Sequence, residues 1–126
     1  MIAPDDLKYT KEHEWLKVEG DTVTIGITDF AQDSLGDIVY VDLPEIGATV
    51  ETGDGIGNIE SVKAVAELFC PVAGEVVEVN EELEGQPELV NSEPYASGWI
   101  LKVKTDPSKL DLEELMDSSA YADFAK

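Results

Sequence analysis

Residues 59–71 read Ile59-Glu60-Ser61-Val62-Lys63-Ala64-Val65-Ala66-Glu67-Leu68-Phe69-Cys70-Pro71, and their secondary structure decides the fold class. Val62, Val65, Ala66 and Phe69 recur at helical spacing, and Glu, Lys, Ala and Leu favour helices. Against a helix stand Gly57 before the stretch, Pro71 after it, and strand-like runs at both ends, Ile56 to Ile59 and Leu68 to Cys70. A β-hairpin with Lys63 at its tip fits equally well, and periodicity leaves both readings open. Charge adds a second observation. Lys63 is the only Lys or Arg between Lys17 and Lys102, and the chain has no arginine. A single amine in so acidic a background suggests a site of modification rather than part of a binding patch.

The background is strongly acidic: 28 Asp and Glu against 8 Lys give a formal charge of −20 over 126 residues. Nucleic-acid phosphates and anionic membranes are therefore disfavoured partners. Such a charge favours a monomer and steers the molecule toward partners with basic docking surfaces, although a solvated surface alone would account for it. The length suits one domain with one hydrophobic core, residues 1–126. Cys70 is the only cysteine, so it has no internal disulfide partner. Its setting, Leu68-Phe69-Cys70, predicts a buried reduced thiol and a reducing compartment. Met1 to Asp6 carry neither a signal-peptide apolar region nor Arg-rich transit character, and no apolar run approaches membrane-spanning length. A cytoplasmic protein is expected.

Outward from the central stretch, the pattern is mainly β. Trp15 to Val18 predicts a short strand running into a turn at Glu19-Gly20-Asp21. Val23, Ile25 and Ile27 alternate with Thr22, Thr24, Gly26 and Thr28, a period-2 strand with one buried face. A short helix is expected over Asp29 to Leu35, capped at Asp29 and stopped at Gly36. Ile38-Val39-Tyr40-Val41 predicts another strand, ended by Leu43-Pro44. Gly47, Gly53, Gly55 and Gly57 fit no phosphate-binding spacing, so turns and tight strand crossings explain them better. Leu43 to Glu51 aligns with Cys70 to Glu78, matching Pro, Gly, Val and Glu at one offset, which suggests two related strand-turn-strand units.

Gly74 to Val79 reads as a strand. Glu81 to Asn91 reads as a loop with a short helical turn, and Trp99 to Lys104 as a last strand with a basic outer face. Leu112, Leu115 and Met116, and then Tyr121 and Phe124, lie at helical spacing. The expectation is a β core over about residues 15–104 with C-terminal helices over about 108–125.

The catalytic inventory is short. His13 is the only histidine, which excludes His clusters for zinc, and no cysteine pair exists. Paired carboxylates could do acid–base work, but nothing marks out a pair. An autonomous enzyme and a metal site are both disfavoured. Lys63 remains, flanked by Glu60 and Ser61 on one side and small Ala64 on the other, with apolar Val62 beside it as a contact for a modifying enzyme.

These residues sit among longer runs: Tyr9-Thr10-Lys11-Glu12-His13-Glu14-Trp15, Val23 to Gln32, Leu35 to Pro44, Ile59 to Ala64, Pro71 to Asn80, Pro87-Glu88-Leu89-Val90-Asn91, Pro94-Tyr95 and Gly98 to Lys102. In this order, over nearly the whole chain, they resemble the H proteins of the glycine cleavage system. The resemblance implies a barrel-sandwich hybrid of two antiparallel sheets related by pseudo-twofold symmetry, of the biotinyl- and lipoyl-carrier kind. It implies lipoic acid joined through an amide to Lys63 on a hairpin turn, within the modification motif Glu60, Ser61, Val62 and Ala64. The implied cycle takes an aminomethyl group from glycine at a pyridoxal-phosphate glycine decarboxylase and passes its carbon to tetrahydrofolate at an aminomethyltransferase. Dihydrolipoyl dehydrogenase then reoxidises the dithiol. A lipoate ligase or octanoyltransferase is implied as the attaching enzyme.

In this family the loaded arm docks near the His-Glu-Trp segment and an acid shortly after the lysine. The matching positions are Glu14 and Glu67, with Glu12 adjacent. Phe30 and Ser34 stand where relatives carry other residues, including histidine, so no histidine role carries over there. Gly57-Asn58 replaces a more apolar pair. Biotinyl domains place Met on both sides of their lysine, unlike Val62 and Ala64, and 2-oxo acid dehydrogenase lipoyl domains lack the His-Glu-Trp segment. An H-like lipoate relay is the other reading compatible with the motifs.

Overall fold

The structure, a computed structural model, describes residues 4, 6–106 and 115–125. In chain order the elements are β1 (Lys8–Tyr9), β2 (Glu14–Glu19), β3 (Thr22–Ile27), α1 (Asp29–Leu35), β4 (Ile38–Val41) and β5 (Thr49–Val50). Then follow β6 (Gly55–Ser61), β7 (Val65–Phe69), β8 (Gly74–Val79), α2 (Glu82–Gly85), α3 (Leu89–Ser92), β9 (Leu101–Lys104) and α4 (Ser118–Phe124). The strands form two antiparallel sheets, one ordered β1-β2-β3-β9-β8-β5 and one ordered β4-β6-β7. Val41, Ile59 and Leu68 from the smaller sheet meet Val23, Ile25, Val76, Leu101 and Val103 from the larger in one buried cluster. Each such side chain contributes roughly 1.5–3 kcal/mol on burial, so this shared core holds the two sheets together.

The central stretch is a hairpin. Glu60 pairs with Val65, Ile59 with Ala66 and Asn58 with Glu67, which leaves Val62 and Lys63 at the tip. The apparent helical spacing of Val62, Val65 and Phe69 arises because Val62 belongs to the turn, and Val62 and Val65 both face solvent. The register slips between Gly55 and Gly57, where β6 passes so close to the backbone oxygen of Asp42 that a Cβ on Gly57 would collide with it. The tight crossing expected from the glycines lies there.

Strand β3 buries both faces rather than one, because the Trp15 indole lies across Gly26 and a Cβ there would stand 2.6 Å from the ring. Helix α1 is capped by Thr28, not Asp29. The Thr28 Oγ1 accepts from the Ala31 N–H at 3.2 Å, while Asp29 Oδ1 accepts from Gln32 Nε2 at 2.7 Å. Gly36 does stop it, at φ +81° with its N–H donating to Gln32 O. The last strand begins at Leu101 rather than Trp99, and the expected loop after β8 holds two short helices, α2 and α3.

The two copies of the sequence repeat lie antiparallel against each other, Thr49 opposite Glu75 and Val50 opposite Gly74. Their matched glycines differ in use: Gly47 has φ +93°, whereas Gly74 opens β8 against the Lys104 backbone. At the C-terminus, Leu115 and Met116 are not helical. Met116 instead exchanges backbone hydrogen bonds with Tyr9, each 2.8 Å, and Leu112 lies outside the described residues. Helix α4 starts at a cap where Asp117 Oδ1 accepts from the Ala120 N–H at 2.8 Å. Its Tyr121 joins Leu7, Tyr9 and Trp15 in a second buried cluster.

Candidate functional site

The turn at the hairpin tip is built by Ser61. Its N–H donates to Ala64 O at 2.8 Å, and its Oγ accepts from the Ala64 N–H at 3.0 Å and the Lys63 N–H at 3.3 Å. One hydroxyl thus satisfies two amides that a two-residue turn would otherwise leave to water. Lys63 is exposed, and no described acid lies within ion-pair distance of its amine. Its stem passes over Gly36, where a Cβ would stand in ordinary contact, 3.5 Å from Lys63 Cε. Val62 anchors the tip by donating its N–H to Asp37 O at 3.1 Å. The turn is therefore fixed while the amine is left accessible, an arrangement that fits an attached group.

Around the turn the small sheet exposes several apolar side chains with an acid among them. Tyr40, Glu60 and Val65 stand opposite one another across β4, β6 and β7, so their side chains share a face. Tyr40, Val65, Val39 and Val62 are each at least half exposed. Of the motif residues expected from sequence, Glu60 and Ser61 are half-buried and Val62, Lys63 and Ala64 exposed.

Glu14 lies at the other end of the hairpin. It opens β2, is 2 % exposed, and its Oε2 accepts from the Phe69 N–H at 2.9 Å, bridging the larger sheet to β7. Its Oε1 accepts from the Thr10 hydroxyl at 3.3 Å. Burial, opposed by these two bonds, pushes its pKa up to about 8. Glu67 is exposed on β7, and its carboxyl lies against Gly55, the ladder partner of Phe69; a Cβ on Gly55 would stand 2.9 Å from Glu67 Cδ. Glu14 and Glu67 thus reach the same Gly55–Phe69 pair from different elements. Glu12 is exposed and acts on Glu14 through its charge.

His13 has φ +64° and links this region to α4. The Tyr121 hydroxyl bridges His13 Nδ1 at 2.8 Å and Thr28 Oγ1 at 2.6 Å, and the His13 ring stacks on Phe30 with centroids 4.6 Å apart. Burial lowers the His13 pKa. Cys70 is buried, its thiol donating to Val72 O at 3.0 Å and its pKa pushed up to about 11, mainly by burial. An inert thiol follows.

The sequence pattern ties none of Gly36, Asp37 and Asn91 to the turn, although all three bear on it. In the sequence Asn91 stands out only as the end of the Glu81 to Asn91 loop and of the Pro87 to Asn91 run. Its hydrogen bonds span more than 50 residues, and local pattern carries no signal for them.

No described helix is long and apolar enough to cross a membrane. The sequence profile of the glycine cleavage H-protein family matches residues 7–126. The chain is 56% identical over 125 residues to the glycine cleavage system H protein of Staphylococcus carnosus, covering 98% of each. It is 58% identical over 120 residues to that of Escherichia coli, covering 94% of this chain and 92% of the relative. The crystal structure of a glycine cleavage system H protein from Mycobacterium marinum superposes with a TM-score of 0.87 at 38% identity, covering 95% of this chain and 96% of that one. With its two-sheet β fold and its presented lysine, the chain belongs to the glycine cleavage H-protein family, and is a lipoyl-carrier component of that system rather than a catalyst.

Proposed function

We propose that Lys63 is the attachment residue, carrying lipoic acid as an amide on its side-chain nitrogen, in one carrier domain of residues 1–126. The observation that supports this is the presentation of Lys63: an exposed amine without a described acidic partner, on a turn anchored by Ser61 and by Val62 to Asp37. The bound group supplies a dithiolane that accepts a carbon unit and cycles between disulfide and dithiol. The chain itself supplies position: tethering lets successive enzymes meet one carrier at high effective concentration.

Glu14 is the main acceptor for the cargo's positive amine, Glu67 the exposed helper, and Glu12 a further negative charge nearby. Two of the roughly four acceptor positions of the Glu14 carboxyl are used by Phe69 and Thr10, leaving room for another donor. With a pKa near 8, Glu14 is mostly neutral at pH 7, so an approaching cation draws it into the ionised form and a proton is released. The partners are the pyridoxal-phosphate glycine decarboxylase, the tetrahydrofolate-dependent aminomethyltransferase, dihydrolipoyl dehydrogenase, and a lipoate ligase or octanoyltransferase. The carrier is read as a monomer acting in the cytoplasm, a setting consistent with its free thiol.

Intact mass tests the central assignment. Incubation with a lipoate ligase, ATP and lipoate is expected to add the mass of one lipoyl group to the wild type and nothing to Lys63→Arg. Modification of that variant, or acceptance of biotin in place of lipoate, overturns it. For Glu14, the expected result of Glu14→Ala is loss of the aminomethyl cargo from isolated protein at least severalfold faster than wild type; an unchanged rate removes Glu14 from the reading.

A further inference from the structure

Asn91, on α3, makes three side-chain hydrogen bonds to one short segment and its neighbour. Its Oδ1 accepts from the Ile38 N–H at 2.8 Å, and its Nδ2 donates to Gly36 O at 2.8 Å and to Gln32 Oε1 at 2.9 Å. Gly36 C=O and Ile38 N–H lie two residues apart at the start of β4, an edge strand of the smaller sheet. A donor and acceptor so spaced are what a neighbouring strand would pair with, and the planar amide of Asn91 takes both.

The segment held in this way is the one on which the hairpin tip rests. Ser61 pairs with Ile38, the Val62 N–H donates to Asp37 O at 3.1 Å, and the Lys63 stem lies over Gly36. Three successive turn residues therefore meet residues 38, 37 and 36 in antiparallel order. Asn91 touches none of the turn residues through the hydrogen bonds just described; it holds what they rest on.

We infer that Asn91 is a positioning residue for Lys63, fixing the Gly36–Ile38 seat so that one turn conformation is presented to the attaching enzyme. The inference rests on the reading of Lys63 as the attachment site. It also gives the Pro87 to Asn91 run a physical role, since the backbone of α3 sets where the amide stands.

The test uses the full-length unmodified protein as wild type, Asn91→Ala and Asn91→Asp, each compared by thermal melt, residue-resolved amide exchange and initial rate of lipoylation. Loss of the seat is expected to raise Val62 amide exchange about five- to tenfold, the effect of losing a hydrogen bond's worth of local stability, while Val23 and Ile25 amides stay unchanged. The kcat/KM of a lipoate ligase for the carrier is expected to fall by a similar factor. Asn91→Asp keeps side-chain volume and the Ile38 contact should Asn91→Ala fail to fold. It places a carboxylate oxygen against Gly36 O, so its excess Val62 exchange, corrected for the intrinsic pH dependence, should shrink as pH falls and that carboxyl protonates.

Wild-type exchange at Val62 together with a wild-type lipoylation rate in a folded variant overturns the inference. Equal acceleration at every amide overturns it too, since that marks a general structural role. If the wild type gains no lipoyl mass, the Lys63 assignment fails, while Val62 exchange still judges the seat.

Discussion

At Glu14 the Phe69 N–H and the Thr10 hydroxyl donate to a carboxyl with almost no water contact, and burial outweighs both bonds in setting its pKa near 8. The consequence for stability follows from proton linkage. Below about pH 4.5 the group is protonated whether the chain is folded or not. From there to about 8 the unfolded chain has lost the proton and the folded one keeps it, so this contribution to stability falls as pH rises. Above about 8 the full difference applies, roughly 5 kcal/mol against the folded state for the whole shift. Glu14→Gln retains an acceptor for Phe69 and cannot ionise. Its melting temperature relative to wild type is therefore expected to climb between pH 5 and pH 9, most steeply toward neutral pH. A difference that does not change with pH would show that the carboxyl titrates as an exposed acid does.

The β6–β7 hairpin shows how much of the site can be read locally and where local reading stops. Charge alone marks Lys63 as a candidate, and alternation and glycine positions mark the β strands around it. The turn is not legible in this way, because its apolar residues mimic helical spacing while Val62 is exposed in the turn and Val65 on the outer face of the sheet. Family resemblance, not periodicity, favoured the hairpin. Met116 departs from its helical period for a related reason: its apolar side chain fits the spacing, whereas its backbone is taken by Tyr9 over a hundred residues earlier. Glu67 follows from the family resemblance, but its contact with Gly55 depends on a register slip that no sequence period marks. Ser61 gives the turn a test of its own. Ser61→Ala removes an acceptor shared by the Lys63 and Ala64 amides, worth about 1 kcal/mol of local order. The expected outcome is severalfold faster exchange of those two amides with a melting temperature within about 2 °C of wild type, given how little of the core the turn touches. Ser61→Asp, whose carboxylate can accept the same amides, should restore slow exchange.

Across the whole molecule, 28 acidic against 8 basic residues leave −20, and amide formation on Lys63 would take the charge to −21 by removing one positive group. The described lysines other than Lys63 lie on the larger sheet and its approach: Lys17, Lys102 and Lys104 occupy β2 and β9, and Lys102 sits over the Trp99 ring at 5.1 Å. The smaller sheet, which carries the turn, presents Asp42, Glu60 and Glu67 around the exposed Tyr40, Val39 and Val65. An enzyme that reaches Lys63 thus meets exposed apolar side chains interspersed with acids. Charge of this kind speeds encounter over distances up to the Debye length, about 10 Å at 0.1 M salt, and apolar contact then decides how long the complex lasts. Association with a partner of the system should accordingly slow by roughly tenfold between about 0.01 and 0.3 M salt, with dissociation changing much less. Val65→Ser should do the reverse, shortening the complex with little effect on the association rate. Stopped-flow or surface-binding kinetics across a salt series separates the two. Dissociation that speeds on raising salt as much as association slows would mean that acidity acts within the docked interface itself rather than in bringing the carrier to it.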